Sequence, residues 1–350
     1  MRVIRAAQMR HGASYPRVLT RLFDVYAQRG YSLGEIVKLD LLDPARTRDW
    51  LDQTASKRQQ LDLQRRLNPR NYWVLTEDKN VFYPFCAGSG LPVPAFFGTI
   101  FAPAQAVPAG RAAQMREQAI HVFEQAGSAD LIVKPAQGVY GIGVVALQRQ
   151  DGALIDATGV RRTPGEVMDW LATWCEYPAF VVQQRLDAHP SLRALSGTKN
   201  LQTVRMATYV RRDGTPMIGC CQLKIIGGDS LVDNYGNGLL GNLIGDIPKA
   251  AGRLSNVHGA ASDGSSRRFD RHPRTGIVFK GFEIPFWDDA CALVRKAALA
   301  FLPLRTIGWD VAITPSGAVL IEGNVKWDPP QVGREVSGDL LEVLRADGEI

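Results

Sequence analysis

Over the first 75 residues, apolar positions return every three or four places. Leu19, Leu22, Phe23 and Tyr26 form one such run, and Ile36, Leu39 and Leu42 a less regular one. That spacing predicts helices, divided by turn residues at Gly30 and Asp43-Pro44. A further helix-like stretch follows Thr76-Glu77-Asp78-Lys79 and runs through Cys86, ending in the turn-rich Gly88-Ser89-Gly90-Leu91-Pro92-Val93-Pro94. Beyond Leu131 the pattern changes. Leu131-Ile132-Val133-Lys134, Val144-Val145-Ala146-Leu147 and residues 180–186, 203–210 and 217–226 read as strands. One helix is well signalled among them. Thr163 is a natural N-cap, Pro164 suits the first helical position, and Glu166 completes a capping box. Val167, Met168, Leu171 and Trp174 give that helix its core-facing stripe. Residues 227–241 and 255–274 read as loops, and residues 288–301 as a helix.

The stretch from Gly308 to Asn324 predicts a hairpin, apolar on both sides of Pro315-Ser316-Gly317. A three-residue loop with Gly317 in its third place sets Thr314 opposite Ala318 and Asp310 opposite Glu322. Strand side chains alternate, so Glu322 and Asn324 share a face. Three oxygen ligands then converge among Val311, Ile313, Leu320 and Ile321, where an unpaired charge is costly. Hard oxygen donors in small number suit Mg²⁺, which takes its remaining ligands from water and phosphate.

A second candidate is Lys134, at the end of an apolar strand and followed by Gly138, Gly141 and Gly143. A lysine is seldom buried without an anion. Glycines let backbone N–H groups approach phosphate oxygens closely. The spacing matches neither a Walker loop nor a dinucleotide fingerprint. Lys79 is a second phosphate cation on this reading. Arg205 and Lys224 lie on strands among apolar neighbours, a pattern that suits either core-edge residues or an anion site. Residues 183–186 connect the two halves. Their backbone, with the amides of Gln183 and Gln184, offers edges that can read an adenine.

With 350 residues the chain can form two or three packed units. No apolar run approaches the ~18 residues of a membrane span. The opening Met1-Arg2-Val3-Ile4-Arg5 lacks the apolar core of a secretory signal. The five cysteines show no paired spacing, which fits reduced thiols and a cytoplasmic protein. The net charge is +6. Its basic clusters at Lys57-Arg58 and Arg65-Arg66 come with no recognition motif, so nucleic acid is not expected as a partner.

Taken in order, Lys79, Lys134-Pro135 with its glycine-rich loop, a hinge strand, Arg205 and Asp310…Glu322-Gly323-Asn324 resemble the ATP-grasp enzymes, of which D-alanine–D-alanine ligase is a familiar member. Further stretches are similar to the sugar-transfer-associated ATP-grasp proteins. These are Asn200 to Arg205, His272-Pro273-Arg274-Thr275-Gly276, Gly308-Trp309-Asp310, and Glu322 to Asp328 with Gln331. Two features depart from the pattern. Gln183-Gln184 stands where many relatives carry glutamate, and the N-terminal part reads helical where many have an α/β domain.

The resemblance implies an α+β fold in which two lobes clamp ATP. It divides the chain into a helical N-terminal region (1–75), a first ATP-grasp part with phosphate loop and hinge (76–187), a second lobe with the metal site (188–335) and a tail (336–350). Lys79 and Lys134 would meet the α- and β-phosphates, with Gly138, Gly141 and Gly143 beside them and Gln183, Gln184, Leu186 and Lys224 completing the nucleotide site. Asp310, Glu322 and Asn324 would hold two Mg²⁺, for which Mn²⁺ can substitute, with Glu322 bridging. Arg205 would face the γ-phosphate. The implied activity is an ADP-forming carboxylate ligase, which phosphorylates a small-molecule carboxylate that an amine or hydroxyl acceptor then captures. The resemblance suggests a sugar or polysaccharide precursor as acceptor. Direct phosphotransfer to a hydroxyl, or nucleotide binding without chemistry, are the alternatives. His272 is a candidate for the substrate side because its loop matches a family stretch.

Overall fold

The structure is a computed structural model and describes residues 2–52, 54–101, 109–138, 141–174, 176–236, 240–261, 266–328 and 343–349. The amphipathic runs of the N-terminal region form short helices, including Arg2–His11, Tyr15–Phe23, Leu33–Lys38 and Lys57–Leu67. Ser32 and Ser56 open the last two with capping boxes through Glu35 and Gln59. Val18, Val25, Ile36, Leu41 and Leu51 form a separate small core for this unit.

Two antiparallel sheets follow. Their strands, in chain order, are β1 (Phe96–Phe101), β2 (Leu131–Pro135), β3 (Val145–Gln150), β4 (Ala153–Ile155), β5 (Arg161–Arg162), β6 (Ala179–Gln184), β7 (Thr203–Val210), β8 (Pro216–Ile225), β9 (Leu243–Asp246), β10 (Val257–Ala260), β11 (Ser266–Phe269), β12 (Thr306–Thr314) and β13 (Gly317–Asn324). The first sheet has the order β1-β6-β2-β3-β4-β5, and the second β11-β10-β9-β8-β7-β12-β13. Helices Ala109–Gln125 and Pro164–Leu171 pack on the first sheet, where Phe123, Val167 and Leu171 are fully buried. The predicted capping box of Thr163 and Glu166 is present. Helix Trp287–Ala300 backs the second sheet.

Four expectations change. Helix Lys79–Gly88 comes before the first sheet in the chain, but its Phe82, Tyr83 and Cys86 join the core of the second. The stretch 255–274 is not all loop, because β10 and β11 pair within it. Strand β1 and the long helix Ala109–Gln125 carry no clear apolar period and were not expected. The hairpin turn is also shorter than expected. Thr314 pairs with Gly317, so only Pro315 and Ser316 make the loop. The Thr314 hydroxyl accepts from the Ser316 N–H at 3.2 Å and donates to the Gly317 carbonyl at 2.9 Å. The ladder then shifts by one residue between Asp310 and Val311, which restores Asp310 opposite Glu322. A bulge of this kind re-aims side chains where two strands meet a site.

Candidate active site

One cavity of about 460 Å³ lies between the sheets, within the usual range for small-molecule sites. The ladders bring its polar side chains together. Asp310 on β12 faces Arg205 on the neighbouring β7, and Arg205 faces Gln222 on β8. Lys224 is two residues along β8 and therefore on the same face. Arg205 grips Asp310 with two parallel bonds, Nε at 2.7 Å and Nη2 at 3.1 Å. Lys224 Nζ approaches the same carboxylate at 2.9 Å. Burial works against the charges of Arg205 and Asp310, yet their pairing wins. Arg205 is held above its ordinary value by Asp310, and Asp310 is held well below the carboxylate range by Arg205 and Lys224.

Glu322 faces Lys79 across 3.3 Å. Lys79 opens helix Lys79–Gly88, whose N-cap is Asp78, and its backbone N–H donates to the Ala136 carbonyl at 3.0 Å. That bond ties the helix start to the end of β2. Lys134, one residue inside the same end of β2, is also buried. Its Nζ donates to the Tyr83 hydroxyl at 2.7 Å, and that hydroxyl donates to the Ile321 carbonyl at 2.8 Å. Tyr83 thus links the strand-end lysine to the strand of Glu322, a connection no sequence pattern announced. The Lys134 ammonium is pushed down to about 7, first by burial and then by Lys79, against the pull of Glu322 and Asp310. Asn324 donates from Nδ2 to the Gly308 carbonyl at 3.2 Å. With the amide so assigned, its oxygen remains as an acceptor.

Of the glycines, Gly138 and Gly141 line the cavity. Gly141 has φ +70°, and a Cβ there would stand 2.8 Å from Asn234 Nδ2 and 3.1 Å from Val232. The glycine is therefore needed for the turn and for the close approach of the two lobes. Gly143 does not line the cavity; it packs against Pro135 and Tyr177. Gln183 and Leu186 also line the cavity. Gln183 is buried, and its Oε1 accepts no hydrogen bond among the described residues. Gln184 next to it is exposed and outside the lining, because neighbouring strand residues point to opposite faces.

His272 does not line the cavity. Its Nε2 lies 2.9 Å from the Ile226 carbonyl, its Nδ1 accepts from the backbone of Arg274 and Thr275, and its ring packs on Phe279. Asp233 is a lining residue that the sequence did not point to. Its Oδ2 takes both the N–H and the hydroxyl of Thr203 at 2.6 Å, and burial raises its carboxyl.

Two antiparallel sheets around a cleft with strand-end lysines and an acid-bearing hairpin define the ATP-grasp fold. The chain belongs to the sugar-transfer associated ATP-grasp family, whose profile it matches over residues 58–337. No curated protein matches it in sequence. Among solved structures it is similar to an N5-carboxyaminoimidazole ribonucleotide synthetase in complex with ADP, at 11% identity and a TM-score of 0.40 over 73% of this chain and 45% of that one. It is also similar to D-alanine–D-alanine ligase from Bacillus anthracis, at 13% identity and a TM-score of 0.39 over 79% and 69%. Biotin carboxylase from Campylobacter jejuni has 11% identity and a TM-score of 0.43 over 78% and 46%. This chain thus spans less than half the length of the first and third. Among the described residues, no helix is long and apolar enough to cross a membrane.

Proposed function

We propose that the protein is an ADP-forming ligase in which ATP phosphorylates a carboxylate and an amine or hydroxyl acceptor displaces the phosphate. One observation carries this reading: Lys79, Lys134, Lys224 and Arg205 converge with Asp310, Glu322 and Asn324 on a single cavity. Phosphoryl transfer needs positioning and charge neutralisation more than a covalent nucleophile, and this lining supplies those. The donor set fits Mg²⁺, since two carboxylates and an amide oxygen are all hard ligands. Bound there, the ions would neutralise phosphate charge, held by Asp310, Glu322 and Asn324. The buried lysines fit a triphosphate. The orphan Gln183 Oε1 fits a donor such as an adenine amino group, with the 185–186 backbone beside it. Arg205, already held by Asp310 through two bonds, would face the transferred group. The acceptor class, a sugar or polysaccharide precursor, rests on the family description alone.

The test is ADP release over panels of carboxylates, with hydroxylamine replacing the acceptor. A hydroxamate formed with one ADP and one phosphate supports the ligase. A stable phosphorylated product without hydroxamate would instead mean direct phosphotransfer.

The depressed Lys134 gives a pH prediction. A triphosphate at Lys134 would restore its ordinary basicity, so between about 7 and the usual lysine value, binding takes up a proton. Affinity should therefore fall as pH rises through that window. Calorimetry near pH 8 in buffers of different ionisation enthalpy, about one unit above the free-state value, should show the uptake in the native protein and lose it in Lys134→Met. The same uptake in both would place the proton on another group.

A further inference from the structure

The N-terminal helices carry more apolar surface than their core uses. Val18, Leu22 and Val25 face the small core, with Val18 and Val25 fully buried. Tyr15, Leu19 and Phe23 recur every four residues along helix Tyr15–Phe23 and so share another side, and Tyr26 follows in the π turn Asp24–Gln28 that continues it. These four are exposed, Phe23 by 62% and Tyr26 by 54%. Met9 on the preceding helix is 88% exposed, and Leu33 at the start of the following one 50%. Among the described residues, the first 33 thus hold six of the sixteen large exposed apolar side chains. A clustering of that kind marks a surface that meets something apolar.

Charge says what it meets. Residues 1–75 contain fourteen lysines and arginines against seven acids, a balance of +7 where the whole chain has +6. The helical unit therefore carries all of the protein's excess positive charge, and Arg5 and Arg17 are exposed on the two helices that bear Met9 and the stripe. A second copy docking here would bring two strongly basic units together, which like-charge repulsion opposes. An anionic lipid surface satisfies both features at once. Phenylalanine, leucine and methionine enter the acyl boundary, tyrosine hydroxyls stay at the headgroups, and arginine stems reach the phosphates.

We infer that the helix Tyr15–Phe23 and its flanks dock this protein peripherally on an anionic phospholipid surface. No bond is made or broken, and the docking is independent of the reaction proposed above. Cavity residues Lys57 and Leu61 belong to the helix Lys57–Leu67 of the same N-terminal region, so docking would hold the cavity near the surface.

The full chain should co-sediment with vesicles of phosphatidylglycerol and phosphatidylcholine, and not with phosphatidylcholine alone. Leu19→Ser with Phe23→Ser should weaken that binding by about tenfold or more. Arg5→Gln with Arg17→Gln should weaken it and reduce its salt sensitivity. Because these side chains are exposed, unchanged thermal unfolding and nucleotide affinity should accompany both losses. Equal vesicle binding by the native chain and the Leu19→Ser/Phe23→Ser variant overturns the inference, as does no preference for the anionic lipid. Self-association that this variant abolishes, without vesicle binding, overturns it in favour of a second copy. Capture by an acidic protein in place of vesicles overturns it too.

Discussion

Asp310→Asn is expected to cost about 3–5 kcal/mol of folding stability, because it leaves two buried cations without their counter-charge. Arg205 and Lys224 both bond to this carboxylate, and all three side chains are largely enclosed. Asparagine keeps the shape, so the loss measures charge and not packing. Burial alone would raise the carboxyl, but Arg205 and then Lys224 hold it well below its ordinary range. Its stabilising contribution is thus present at neutral pH and is lost progressively as pH falls from the ordinary carboxylate value to the depressed folded-state one. Urea unfolding at neutral pH reads the difference. A midpoint unchanged from the native protein would mean the pair does not hold the sheet together.

Glu322→Gln should behave in the opposite way. Its side chain is 28% exposed and, among the described residues, its ion pair is with Lys79 at 3.3 Å. The cost to folding should stay within about 1 kcal/mol, as for other partly solvated pairs. On the proposed reading, turnover should fall by about 10²–10³-fold, the usual scale for removing one group that stabilises transition-state charge. The Mg²⁺-dependent part of nucleotide affinity should fall with it. Together the two variants separate a residue needed for both fold and chemistry from one needed mainly for chemistry. A stable, fully active Glu322→Gln protein would remove the hairpin from the proposed site.

The placing of Asp310 opposite Glu322 was predicted from a three-residue loop, and the pairing is present although that loop is not. Gly317 suits the third place of a three-residue loop, yet the Thr314 hydroxyl secures a two-residue one and a bulge makes up the difference. A shorter loop plus a bulge has the same net register as a longer loop, and residue periodicity cannot distinguish them. Lys134 was legible because a charge ended an apolar strand. Tyr83 was not, because a tyrosine on a helix gives no sign that its hydroxyl will bridge two lobes. Helix Ala109–Gln125 lacked a clear apolar period because alanine and glutamine fill much of it. Strand β11 was hidden by exposed polar residues at a sheet edge. The exclusion of Gln184 was within reach of the alternation rule once Gln183 was taken as inward-facing. The burial of His272 was not, since a lone histidine carries no local signal of its environment.

The central claim is that an acyl phosphate forms in this cavity, and oxygen-18 tests it most directly. Once a carboxylate that releases ADP is found, its oxygens are labelled and the products are examined by mass spectrometry. The ligase account predicts one labelled oxygen in the inorganic phosphate, left behind when the acceptor displaces it. Label retained wholly in the acid, beside a product that carries a stable phosphoryl group, would contradict the account and establish direct phosphotransfer instead.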